Sequence, residues 1–79
     1  MGYHVRQITK GKLGEVSKIR EELNELEDAM NQNNRILALC ELADLYGAIK
    51  AFAYTIGSNM EEIKTMADAT ESAFKDGTR

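Results

Sequence analysis

Residues 36–56, ILALCELADLYGAIKAFAYTI, form an almost wholly apolar stretch in which Glu41, Asp44 and Lys50 are the only charged side chains. Apolar spacing of three and four residues, with no Pro, predicts a helix here and an all-α chain throughout. At about 100° per residue its apolar side chains wrap roughly two thirds of the circumference. One neighbouring helix cannot cover so much surface. The Leu42, Leu45, Ile49, Phe52, Ile56 stripe is expected to face one partner and the Ile36, Leu39, Cys40, Ala43 stripe another, one of them a second subunit. Glu41 and Asp44 lie one turn apart on a shared side. The sites three and four residues from them include Leu37, Ala38, Leu45, Gly47 and Ala48 and hold no basic residue, so compensation must come from elsewhere.

Upstream, KIREELNELEDA places Glu21, Glu22 and Glu25 in the pattern E-E-x-x-E. The apolar residues Val16, Ile19, Leu23, Leu26 and Met30 mark one narrow stripe on this helix, with Glu22 and Glu25 on its flank. The turn NQNN ends it, since Asn tolerates left-handed backbone. If the connection from Asn31 to Asn34 makes the two helices antiparallel, the two acidic sets meet across one groove. Carboxylates that close raise each other's pKa or require a cation. A hard divalent ion with oxygen ligands answers that need, which points to Mg²⁺ or Mn²⁺ and to phosphate chemistry.

The reading outward from these two helices gives one domain over residues 1–79, with an extended arm at about 1–12 and helices at about 13–31, 35–56 and 59–76. Gly57 stops the second helix. Ser58 with Glu61, or Asn59 with Glu62, supplies a capping box for the third, whose inner face carries Ile63, Ala67, Thr70 and Phe74. The expected architecture is an antiparallel helical bundle of three main helices, completed by oligomerisation, because a chain of 79 residues buries only a small core alone. One Cys and one His exclude an intrachain disulfide and a structural zinc site. A net charge of −3 argues against duplex nucleic acid as the main partner. The sequence shows no membrane-spanning run or cleavable leader, and a cytoplasmic setting is expected.

The pairing of EELNE with ELAD, fifteen residues apart, resembles the E-E-x-x-E and E-x-x-D motifs of the MazG-like all-α nucleotide pyrophosphohydrolases. KGKLGEVSKIREELNELEDA, CELADLYGAIKAF and TESAFKDGTR are similar to the compact, phage-type members, so the resemblance spans nearly the whole chain. It implies a helical bundle that forms dimers or tetramers, binds Mg²⁺ or Mn²⁺, and cleaves an NTP or dNTP to the monophosphate and pyrophosphate. By position, Glu22, Glu25, Glu41 and Asp44 would be the metal ligands. Glu21 would support them, or orient or deprotonate the attacking water. The family's longer members carry more chain beyond the third helix, so a neighbouring subunit is expected to help build the base-binding wall.

Hydrolysis at the α-phosphorus needs charge neutralised on phosphate oxygens and a water placed in line, which ions held by carboxylates provide. Basic residues should hold the remaining phosphates: Lys50, nearest in sequence to the acid pair, with Lys64 and Arg79 ahead of Lys10, Lys12, Lys18 and Lys75. Tyr46 or Phe74 would stack on the base, a purine dNTP with dGTP first. Taken alone, E-E-x-x-E is more often a solvated face than a site, and the competing reading of the strip of Leu37, Glu41, Asp44, Ala48 and Thr55 is that it simply faces water. Cys40 is expected as an inert core thiol. His4, with no second His or Cys near it in sequence, is not expected as a ligand. The competing function is a non-catalytic helical self-assembly or partner-binding module. A di-iron centre lacks its Glu-x-x-His ligands.

Overall fold

The computed structural model describes residues 3–77, which form three helices and no strand: α1 (Val16–Asn31), α2 (Arg35–Thr55) and α3 (Met60–Asp76). Arg79 lies outside the described residues. Helix α1 begins at Val16 rather than near residue 13 because a turn closes first, with the Glu15 N–H donating to the Lys12 carbonyl at 3.0 Å. The asparagine turn behaves as its composition dictates. Asn33 takes the left-handed conformation at φ 55°, and Asn34 caps α2 by accepting from the Leu37 N–H at 3.0 Å. At the other end Gly57, at φ 79°, stops the chain. Asn59 then caps α3, accepting from the Glu62 N–H at 2.9 Å, so Asn59 rather than Ser58 is the capping residue.

Helices α1 and α2 form an antiparallel pair. Near the turn Ala29, Leu37 and Ala38 make a small core with Leu26 packed against it, and at the far end the Thr55 hydroxyl donates to the Gly14 carbonyl at 3.2 Å. The buried apolar residues are Ala29, Leu37, Ala38, Ala48 and Ala53, mostly alanines. Short side chains let the two helices approach closely and leave room between them for the longer acids.

The packed face of α1 is therefore not its apolar stripe. Glu21, Glu22, Asp28 and Ala29 are buried, whereas Val16, Leu23 and Met30 are exposed. On α2 the strip containing Leu37, Glu41 and Ala48 turns inward, and Ile36, Leu39, Leu42, Tyr46 and Tyr54 are exposed, as is Ile56 just after the helix. Cys40 is also exposed, which corrects the expectation of a core thiol: it borders an open cleft beside Glu41 and not the packed seam. Helix α3 buries none of its described residues, and Phe74 on its expected inner face is 60% exposed. The pair of α1 and α2 carries the packing of the protomer, and α3 stands largely apart from it. None of the described helices is long and apolar enough to cross a membrane.

The arm runs alongside α1 in the opposite direction. Val5 meets Asp28, Arg6 meets the Asn24 carbonyl and Glu27, and Gly11 meets Glu21. Gly11 crosses so close to the first turn of α1 that an added Cβ would overlap the Ser17 carbonyl.

Candidate metal centre

Six carboxylates line the groove between α1 and α2. From α1 come Glu21, Glu22, Glu25 and Asp28, spaced so that successive turns point to one side. Glu41 and Asp44 come from α2. Glu21, Glu22, Asp28 and Glu41 are each no more than 5% exposed, an uncommon burial for ionisable side chains in a small protomer. Charges so sheltered are costly unless paired, and two cations pair them at opposite ends. At one end the Lys18 ammonium lies 3.2 Å from Glu21 Oε1 and 3.1 Å from Glu22 Oε2. At the other, His4 bridges the helices, with Nδ1 2.8 Å from Asp28 Oδ2 and Nε2 2.7 Å from Glu41 Oε2.

These two clamps leave the middle uncompensated. Glu22 Oε1 and Glu41 Oε1 are buried with no hydrogen-bond partner among the described residues. Glu25 lies between them. Burial, then its hydrogen bond with Glu22 and repulsion from Glu22 and Glu41, push its carboxyl up to about 7, despite the opposing charge of His4. Burial raises Glu41 above the ordinary carboxylate value; His4 opposes that shift, and Asp44 and Glu22 reinforce it. Three overlapping sets have ligand atoms within 4.8 Å of one another: Glu21, Glu22 and Glu25; Glu22, Glu41 and Asp44; and His4, Glu25 and Glu41.

No family model, curated protein or solved structure matches the chain. What the residues can do therefore rests on their own geometry.

All five acids expected in the site are gathered in this groove, with Asp44 the most open to solvent. Glu21 differs from Glu25 and Glu41. Burial alone would raise its pKa, but the Gly11 N–H at 2.8 Å, Lys18 and Lys10 outweigh it and hold the carboxyl below its ordinary value. A depressed carboxylate is a weak proton acceptor, so its surroundings favour holding Lys18 and the arm over deprotonating water. The residues expected to hold phosphate and base fall elsewhere in the protomer. Lys50 is close to the acids in sequence but nine positions beyond Glu41, about 180° around the helix. It lines a groove between α2 and α3 with Tyr46, Tyr54 and Met60. Lys64 borders an adjoining depression with Tyr46 and pairs with Asp68 at 2.8 Å. Within one protomer none of these reaches the carboxylates.

Two residues that sequence reasoning did not select are central. Asp28 Oδ2 receives three donors: His4 Nδ1, the Val5 N–H at 3.2 Å and Gln32 Nε2 at 2.9 Å. These contacts outweigh burial and keep it ionised, with its pKa lowered. Its signal was present in the chain, three residues beyond Glu25 on the same side. His4 had no such signal, because its neighbours in space are 24 and 37 residues away. The mouth of the site is a cleft of about 500 Å³, with Glu25, Glu41, Asp44 and His4 among its polar lining and Tyr3, Ile36, Leu37 and Cys40 among the rest.

Proposed function

We propose that the chain is a divalent-metal-dependent nucleoside triphosphate pyrophosphohydrolase of the MazG-like kind, converting an NTP or dNTP to the monophosphate and pyrophosphate. The observation that carries this reading is the pair of buried, unpartnered oxygens, Glu22 Oε1 and Glu41 Oε1, on facing helices. Two such oxygens with Glu25 and Asp44 beside them match the all-oxygen ligand set that Mg²⁺ or Mn²⁺ prefers. An ion held there would neutralise the triphosphate oxygens and favour attack of water on the α-phosphorus.

The chain's own residues supply the rest. Glu22 and Glu41 fix the spacing of the two helices' ligands, Lys18 and Glu21 keep Glu22 from swinging away, and the alanine seam holds the helices close. The cleft wall of Tyr3, Ile36 and Leu37 offers an apolar surface for a base or sugar. Lys50, Lys64 and Tyr46 enter this scheme from a neighbouring subunit in a dimer or tetramer, since their groove lies on the far side of α2. Oligomerisation would also cover the apolar side chains that the protomer leaves outside.

The test is a panel of nucleoside triphosphates, purine dNTPs first, with Mg²⁺ and product analysis, beside Glu41→Gln. Wild type should release pyrophosphate and the monophosphate, and Glu41→Gln should lose at least about 100-fold in rate, near the loss expected when a transition-state electrostatic contact is removed. Diphosphate plus inorganic phosphate as products would contradict the proposed bond.

One observation favours a second reading, a non-catalytic assembly module: Ile36, Leu39 and Leu42 are exposed on α2, with Ile56 just beyond its end. Such a module would gain no thermal stability from Mg²⁺ or Mn²⁺ and would release no pyrophosphate.

A further inference from the structure

Of the three sets of potential ligands in the groove, two offer oxygen alone and one includes a nitrogen. We propose that His4 Nε2, Glu25 and Glu41 form a second cation position that selects divalent transition ions such as Mn²⁺, Co²⁺ or Zn²⁺ over Mg²⁺. It lies next to the all-oxygen position at Glu22, Glu41 and Asp44. The inference rests on the reading that this groove holds divalent cations, and adds that the arm, not the helices, sets which cation is preferred.

The imidazole is prepared for the role. Its Nδ1 is held 2.8 Å from the buried Asp28 carboxylate, which is itself fixed by Val5 and Gln32. An Nδ1–H donated to a carboxylate orients the ring, and Nε2 becomes the ligating atom when a bound ion displaces the proton it shares with Glu41, the arrangement common behind metal-bound histidines. Here Nε2 faces Glu41 Oε2 at 2.7 Å and Glu25 Oε1 at 3.7 Å. Ligands about 2.1 Å from an ion sit roughly 3.0 to 3.4 Å apart in octahedral or tetrahedral geometry. The observed spacings bracket that range, so small side-chain shifts suffice.

Glu41 ties the two positions together. One of its oxygens meets His4, and the other is buried and unpartnered among the described residues. It is thus built to bridge. Imidazole nitrogen binds transition ions well, whereas Mg²⁺ favours oxygen, so an ion in the His4 position should be of the first kind.

The chain has one histidine, which makes the test unambiguous in protein freed of any purification tag. Pulsed EPR of the Mn²⁺-loaded wild type should show nitrogen modulation from a coordinated imidazole, and that nitrogen can only be His4. Calorimetric titration should give His4→Gln at least about a 10-fold weaker affinity for Mn²⁺ and Co²⁺, with the affinity for Mg²⁺ nearly unchanged. Tight Mn²⁺ binding without imidazole modulation would overturn the His4 position while leaving the carboxylate groove as a metal site. Equal losses for Mg²⁺ and Mn²⁺ in His4→Gln would overturn the selectivity and mark His4 as a strut for the arm. No binding of any divalent ion would overturn both readings.

Discussion

His4 and Glu25 decide how the metal-free protein responds to pH. Burial opposes charge on His4, yet its contacts with Asp28 and Glu41 outweigh burial and raise its pKa above 6.5. The stability it contributes is fully present below that value and is lost as pH rises through the folded pKa. Glu25 acts in the same direction. With its carboxyl raised from 4.5 to about 7, the folded state binds the proton more tightly than the unfolded chain, so stability falls as pH rises across that window. Glu21 and Asp28 have the opposite sign: their depressed values add stability above the ordinary carboxylate range, and it is lost as pH falls through the folded pKa. The metal-free protein should therefore be most stable near about pH 5 and weaken toward about pH 8. Saturating Mg²⁺ or Mn²⁺ should restore the alkaline side by replacing the missing proton charge. Thermal melts across this range, with and without the ion, check both statements. Stability of the metal-free protein that climbs steadily from pH 5 to pH 8, by about a unit of pKa linkage or more, would contradict this account of the groove. At this scale the five acids were legible, because helical spacing is a local property. His4 was not, because its role depends on an arm folding back across α1.

The two asparagine caps, though chemically alike, should behave differently when removed. Asn34 starts α2 directly before Leu37 and Ala38, which belong to the core. Asn34→Ala should cost about 1 kcal/mol of global stability and lower the melting temperature. Asn59 starts α3, which buries none of its described residues. Asn59→Ala should reduce helicity locally, seen as faster amide exchange in the first turn of α3, with the melting of the α1 and α2 pair nearly unchanged in the monomer. The existence and ends of the helices were largely readable from Asn31 to Asn34, Gly57 and Asn59, whose turn and cap chemistry acts within a few residues. Which face packs was not. The Val16, Leu23, Met30 stripe reads as a core stripe by periodicity, but Ala29 and the acids on the other side are what α2 meets. Periodicity finds a face that avoids water and leaves open whether the same chain or another one covers it.

The protomer as a whole keeps carboxylates inside and leaves Ile36, Leu39, Leu42, Tyr54 and Ile56 outside. Exposed apolar surface of that extent favours association. Sedimentation should show concentration-dependent dimers or larger species, and Leu39→Glu with Leu42→Glu should shift them to monomer while also lowering the melting temperature. A wild type that remains monomeric at high concentration would remove the neighbouring-subunit contribution proposed for Lys50, Lys64 and Tyr46. Lys50 shows why residues for substrate are harder to read than the acids: it is near Glu41 along the chain, yet half a helical turn separates the two. The chain's single thiol, on Cys40 beside Glu41, lies on the cleft wall and is open in the protomer. One fluorophore attached there, with no engineered residue, would act as a built-in gauge of the proposed activity: if nucleotide enters this cleft, its emission should change on binding and its attachment should slow when the cleft is already occupied.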